Sequence, residues 1–111
     1  MTAIPNFYPG TTLSWEGRVA RDGAAVDIRA DSLTWTIKRR GLPDAQALII
    51  ATGDVATSGV NGIVLFSLTD EQTAPLAAGM YVSDVVWRLA NGDEYVVLHQ
   101  NIVIMERVSD P

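Results

Sequence analysis

His99 is the only histidine in the chain. To activate a nucleophile it would have to stand beside one of Ser14, Ser32, Ser58, Ser67, Ser83 or Ser109. None of these lies in a G-x-S-x-G elbow. A single histidine on a strand reads as a surface or satisfied residue. The 13 carboxylates are scattered, and many flank glycines or turns, where Asp accepts local backbone bonds. A glycosidase would need two of them facing each other across a cleft. Calcium would need several oxygens converging, and no D-x-D-x-D-G loop occurs. Asp84 stands apart, mid-strand between Val82 and Val86 on an otherwise apolar face. An ionised carboxylate there needs a partner; Arg88, Lys38 or a backbone donor are candidates, and a polar tie within the fold is preferred to an interface contact. Lys38-Arg39-Arg40 is the sole basic cluster. It reads first as a solvated rim and second as a contact with an acidic neighbour. The glycines fit neither G-x-x-x-x-G-K-[ST] nor G-x-G-x-x-G. These observations lead to no catalytic residue, no metal and no cofactor.

The composition narrows the field in the same direction. The chain has 111 residues, 48% apolar and 19% charged, no cysteine, and a net charge of −5. One domain of ordinary size is expected, with enough apolar material for a core. Disulfides, thiolate nucleophiles and Cys-based metal sites are excluded. An acidic chain lacks the positive field that nucleic-acid binding needs. No apolar run approaches a membrane span, and no basic-then-apolar signal pattern opens the chain.

The elements that must carry these residues are strands. Residues 1–10 form an irregular arm, because Pro5 and Pro9 each remove a backbone donor. Ile4, Phe7 and Tyr8 give the arm apolar weight, so it either packs back on residues 11–111 or docks on a neighbour. From Thr12 the chain alternates, with Leu13, Trp15, Gly17 and Val19 on one side. Asp22-Gly23 supplies a tight turn, and Ala24 to Ile28 a short return strand. Ser32 to Arg40 alternates again, with Leu33, Trp35 and Ile37 inward. Gly41, Pro43 and Asp44 break it, and Ala47 to Ala51 is a further strand. Thr52 to Gly59 reads as a loop and Asn61-Gly62 as a turn. Ile63 to Leu68 is apolar at nearly every position, as in a strand covered on both faces or a central strand beside a second layer. Thr69-Asp70-Glu71-Gln72 has the form of a capping box, predicting a short helix in a crossover. Met80 to Leu89 places Tyr81, Val85 and Trp87 on one face, and Asn91-Gly92 is the strongest hairpin signal. In the run from Tyr95 to Val108, Val96, Leu98, Ile102 and Ile104 alternate in phase. A bulge is expected near His99 to Asn101. About seven strands with turns at this spacing predict an antiparallel β-sandwich, its core dominated by Trp15, Trp35 and Trp87.

The order of features resembles small tailed-bacteriophage virion proteins, including the N-terminal immunoglobulin-like domain of baseplate upper proteins. The resemblance runs from Phe7-Tyr8-Pro9-Gly10-Thr11-Thr12 through Asp22-Gly23-Ala24-Ala25-Val26-Asp27-Ile28 and Trp35-Thr36-Ile37-Lys38. It continues with Gly62, Leu68-Thr69, Thr73, Leu76, Gly79, Tyr81 and Asp84, and closes with Gly92 to Leu98 and Ile102 to Ile104, covering about residues 7–106. The family often has Gly where Gln100 stands. The resemblance implies an immunoglobulin-like sandwich and a non-enzymatic structural role in the virion, joining tail, baseplate or capsid components made in the host cytoplasm. The implied partners are other virion proteins and further copies of the chain on a symmetric ring, with neither nucleic acid nor membrane. Edge strands and an apolar arm suit such contacts. The expected interface residues are Ile4, Phe7, Tyr8, Lys38, Arg39 and Arg40. Capsid decoration is the same class on another surface. A carbohydrate- or receptor-binding module would need exposed aromatics, and an enzyme a pocket joining His99 to a carboxylate.

Overall fold

The computed structural model describes residues 4–40 and 47–106. The protein is an all-β, antiparallel sandwich of eight strands, two of them only two residues long. One layer pairs β1 (Leu13–Arg18) with β6 (Ile63–Leu68). The other has the order β5-β4-β7-β8, built from β4 (Ser32–Arg39), β5 (Ile49–Thr52), β7 (Gly79–Arg88) and β8 (Glu94–Ile104). Between β1 and β4 lies a small hairpin, β2 (Ala20–Arg21) and β3 (Ala24–Ala25). Asp22 (φ 54°) and Gly23 (φ 80°) turn it, as a two-residue hairpin turn requires. Ile28, expected to end that return strand, is fully buried below it instead. Pairing of β1 with β6, beside a sheet in which β4 and β8 flank β7, is the arrangement of immunoglobulin-like sandwiches.

Period-two patterning explains the layers. Leu33, Trp35 and Ile37 of β4 are fully buried, while Thr34, Thr36 and Lys38 between them are half-buried on the outer face. Tyr81, Ser83, Val85 and Trp87 form the inward row of β7. Trp35 is the centre of the interior. It meets Trp15 edge-on at 5.3 Å and Phe66 at 5.9 Å, and Trp15 stacks on Phe66 at 4.9 Å. Such pairs add about 0.5–1.5 kcal/mol each beyond burial alone. The Trp35 indole N–H donates to Ser83 Oγ at 2.5 Å, so a polar pair is closed inside the core. The Tyr81 hydroxyl donates to the Ala77 carbonyl at 2.6 Å. This is the corner contact that fixes entry to the equivalent strand in immunoglobulin-like domains, and Ser83 stands where antibody domains have their second cysteine.

The crossover between layers is also built locally. Thr69 caps α1 (Asp70–Thr73), accepting from the Gln72 N–H while the Gln72 side chain accepts from the Thr69 N–H. Thr73 is fully buried, and its hydroxyl donates to the Thr11 carbonyl at 2.8 Å.

Several expectations change. Asp54, within the segment 52–59 read as a loop, bridges to Leu65 of β6 and so ties the two layers at their edge. β6 alternates rather than being covered on both faces: Val64, Phe66 and Leu68 are buried, Ser67 is exposed, and Ile63 and Leu65 are half-buried. The bulge in β8 comes earlier than His99 to Asn101. Val85 faces Leu98 while Val86 faces Val96, leaving Val97 as the extra residue. The insertion reverses the phase of the strand, so Val96 points out and is 63% exposed while Ile102 and Ile104 point in. Residues 41, 43 and 44, expected to break β4, and 107–108, at the end of the last predicted strand, lie outside the described residues.

Candidate interaction surface

The arm packs on its own domain. Phe7 forms a parallel bridge with Ile104. Its N–H donates to the Val103 carbonyl at 3.4 Å, and its carbonyl accepts from the Met105 N–H at 2.8 Å. The Val103 N–H donates to Asn6 Oδ1 at 2.9 Å. Gln100 reads both backbone groups of Ile4: its Oε1 accepts from the Ile4 N–H at 3.0 Å, and its Nε2 donates to the Ile4 carbonyl at 2.8 Å. A side-chain amide thus does what a paired strand residue would do. Ile4 and Phe7 are 2% and 3% exposed, and burying each such side chain stabilises by roughly 1.5–3 kcal/mol. In this structure Ile4 and Phe7 pack into the core of their own domain, whereas Tyr8 remains 42% exposed. Gln100 was visible in the sequence; only the tertiary fold shows that it holds the arm.

The other candidates occupy the opposite side of the same sheet end. Lys38 is half-buried; Arg39 and Arg40 are exposed. Arg39 is paired with Tyr81 in the ladder, and the Arg40 guanidinium rests on Met80 Sδ at 3.6 Å. The structure does not join this rim to the arm: the rim ends β4, while the arm lies along β8, two strands away. Asp84 has no ion pair among the described residues, and neither Arg88 nor Lys38 meets it. Arg88 instead bonds Glu94 across the β7–β8 hairpin. Asp84 sits half-buried on the outer face between Thr36 and His99, its neighbours across the ladders.

That outer face is the surface that sequence reasoning did not single out. Cross-strand registers place Ile50, Thr36, Asp84 and His99 in one row and Thr52, Thr34, Val86 and Val96 in the next. Met80 lies opposite Val103. Ile50 is 65% exposed, and Met80 and Val103 are also exposed. Apolar side chains gathered on one exposed face mark contact surfaces. Next to it β5 is an edge strand with no outer partner among the described residues, and it carries no charge and no proline from Ile49 to Thr52. Natural edge strands are usually guarded by one or the other.

Charges elsewhere serve local turns. Asp27 is held below the usual carboxylate range, first by the Arg29 side chain and then by the Arg29 N–H. Asp54 is lowered by the Thr57 hydroxyl and by the N–H groups of Ala56 and Thr57. Asp31 accepts from the Trp87 indole N–H at 2.9 Å and from the Ala90 N–H at 3.1 Å, tying the β7–β8 hairpin to the start of β4. A surface depression over β1 and β6 is lined by Ser14, Trp15, Glu16, Leu65, Phe66 and Ser67. Among the described residues no three His, Asp or Glu gather as a metal site, and no helix is long and apolar enough to cross a membrane. Compared with known proteins, the chain matches no family model and no curated protein.

Proposed function

We propose that the chain is a non-enzymatic structural component of a tailed-phage virion, acting as an adaptor or connector in the tail or baseplate and assembling with other virion proteins. The observation that carries this reading is the outer face of the four-stranded sheet, where Ile50, Met80, Val96 and Val103 stand exposed among polar residues, beside the β5 edge. A rigid sandwich with such a face is suited to packing against other chains. The motif residues that resemble the phage proteins support it by their roles here. Phe7 anchors the arm, Trp35 centres the core, Thr69 caps the crossover and Tyr81 makes the corner. Trp35 and Trp87 are buried and Trp15 stacks inside on Phe66, so the tryptophans do not form a sugar-stacking platform. The test is quantitative mass spectrometry of purified tailed particles from a phage encoding this chain. The reading expects the chain at a fixed copy number in the particles. Its recovery only as free protein from the infected cell overturns the proposal.

A further inference from the structure

We infer that the N-terminal arm is an exchangeable strand, and that the groove along β8 accepts the same segment from a second copy of this chain. The inference goes beyond the virion role and does not depend on it. Residues 4–7 make their long-range hydrogen bonds to Gln100, Val103 and Met105. The described contacts of this segment do not include a hydrogen bond to β1, the strand that follows it. The only covalent connection is the turn Tyr8-Pro9-Gly10-Thr11, where Gly10 has φ 74° and the Thr11 hydroxyl donates to the Tyr8 carbonyl at 2.6 Å. The arm and its groove therefore form a recognition pair that is independent of how they are joined.

The groove lies on β8, the outermost strand of the larger sheet, so it faces outward. Removing the arm would leave the Val103 carbonyl and the N–H groups of Val103 and Met105 unpaired, and would open the sites of Ile4 and Phe7. An empty groove is costly. A groove filled by a neighbour's arm is not, because reciprocal exchange restores every one of these contacts. Only the turn conformation and the association entropy distinguish the two states, which is the condition for strand exchange between identical chains. The recognition is specific: an aliphatic residue followed three positions later by an aromatic, an intervening Asn to accept from Val103, and an extended backbone for the Gln100 amide to read.

The experiment uses intermolecular paramagnetic broadening in the full chain. Since the chain has no cysteine, Thr2→Cys carries a nitroxide at a unique place. This unlabelled-nitrogen chain is mixed with ¹⁵N chain lacking the nitroxide, and the mixture is briefly warmed to open the arms. Exchange predicts at least a twofold loss of amide intensity at Gln100, Val103 and Met105 of the ¹⁵N chain, growing with concentration. Gln100→Ala in the ¹⁵N chain should remove most of that loss. A ¹⁵N chain carrying its own nitroxide reports the folded-back arm. If only that sample shows broadening at every concentration, exchange is overturned. A dimer seen by light scattering without broadening at β8 also overturns it, and would point to pairing through β5. As a second variant, deletion of Gly10 shortens the turn and should raise the exchanged fraction severalfold over the parent chain; an unchanged monomer counts against the inference.

Discussion

Trp15 and Trp35 touch each other, yet their indole N–H groups have different fates. Trp35 donates to Ser83, whereas the buried Trp15 Nε1 has no partner among the described residues. An unmet buried donor costs about 1–3 kcal/mol. Trp35→Phe should therefore lose ring area and strand the Ser83 hydroxyl, lowering stability by about 3 kcal/mol. Trp15→Phe loses similar area but relieves a penalty, and should cost well under half as much. Urea unfolding of the two variants checks the order; equal losses would show that the hydrogen bond is irrelevant. Asp54 gives a pH-dependent counterpart. Its folded-state pKa is depressed by the Thr57 and Ala56 donors. Its contribution is thus complete above the unfolded value of about 3.9 and is lost as pH falls through the lower folded value. Asp54→Asn should flatten the decline in melting temperature below about pH 4, with little change near neutrality in the slope against pH.

Strands and the crossover were built by rules that act over a few residues. The capping box shows how local such a rule is: Thr69 and Gln72 satisfy each other's end of the helix. Thr69→Ala should cost about 1 kcal/mol, which lowers the melting temperature by roughly 4–8 °C in a domain of this size. Calorimetry reads it directly. The turn at Gly62 is set by a different force. It has φ 75°, and a Cβ there would lie 2.4 Å from the Val19 carbonyl oxygen. That carbonyl belongs to the chain leaving β1, so Gly62→Ala strains the turn and pushes on the neighbouring strand together. It should destabilise more than Thr69→Ala in the same calorimetric series.

For the whole molecule, the division of labour lies between the two edges of the larger sheet. The arm covers the C-terminal end of β8, and among the described residues no strand pairs with the outer side of β5. If the outer face is where copies meet, Ile50→Lys together with Val96→Lys should lower the mass of the assembly in light scattering. The melting temperature of the isolated chain should barely move, because exposed substitutions typically change stability by less than about 0.5 kcal/mol. A large thermal loss would instead mean that these side chains support the fold itself.

Alternation, turn chemistry and the cap were legible from the chain alone, because each depends on neighbours within a few positions. Leu33, Trp35 and Ile37 could be assigned inward without coordinates, and so could Tyr81, Val85 and Trp87. The bulge could be expected, but its place could not. Val96 and Leu98 have the same spacing as Leu98 and Gln100, and only the pairing with β7 decides which residue is extra. The fate of Ile4 and Phe7 was open for the same reason. Their apolar character called for burial, but whether at home or on a neighbour depended on Gln100, almost the whole chain away in sequence. Arg88 and Lys38 were candidate partners for Asp84, but strand register sets it between Thr36 and His99, and it forms no ion pair among the described residues. Short-range sterics and solvation write elements into a sequence; contacts between distant segments form only when the layers close, and those determine which surfaces remain free.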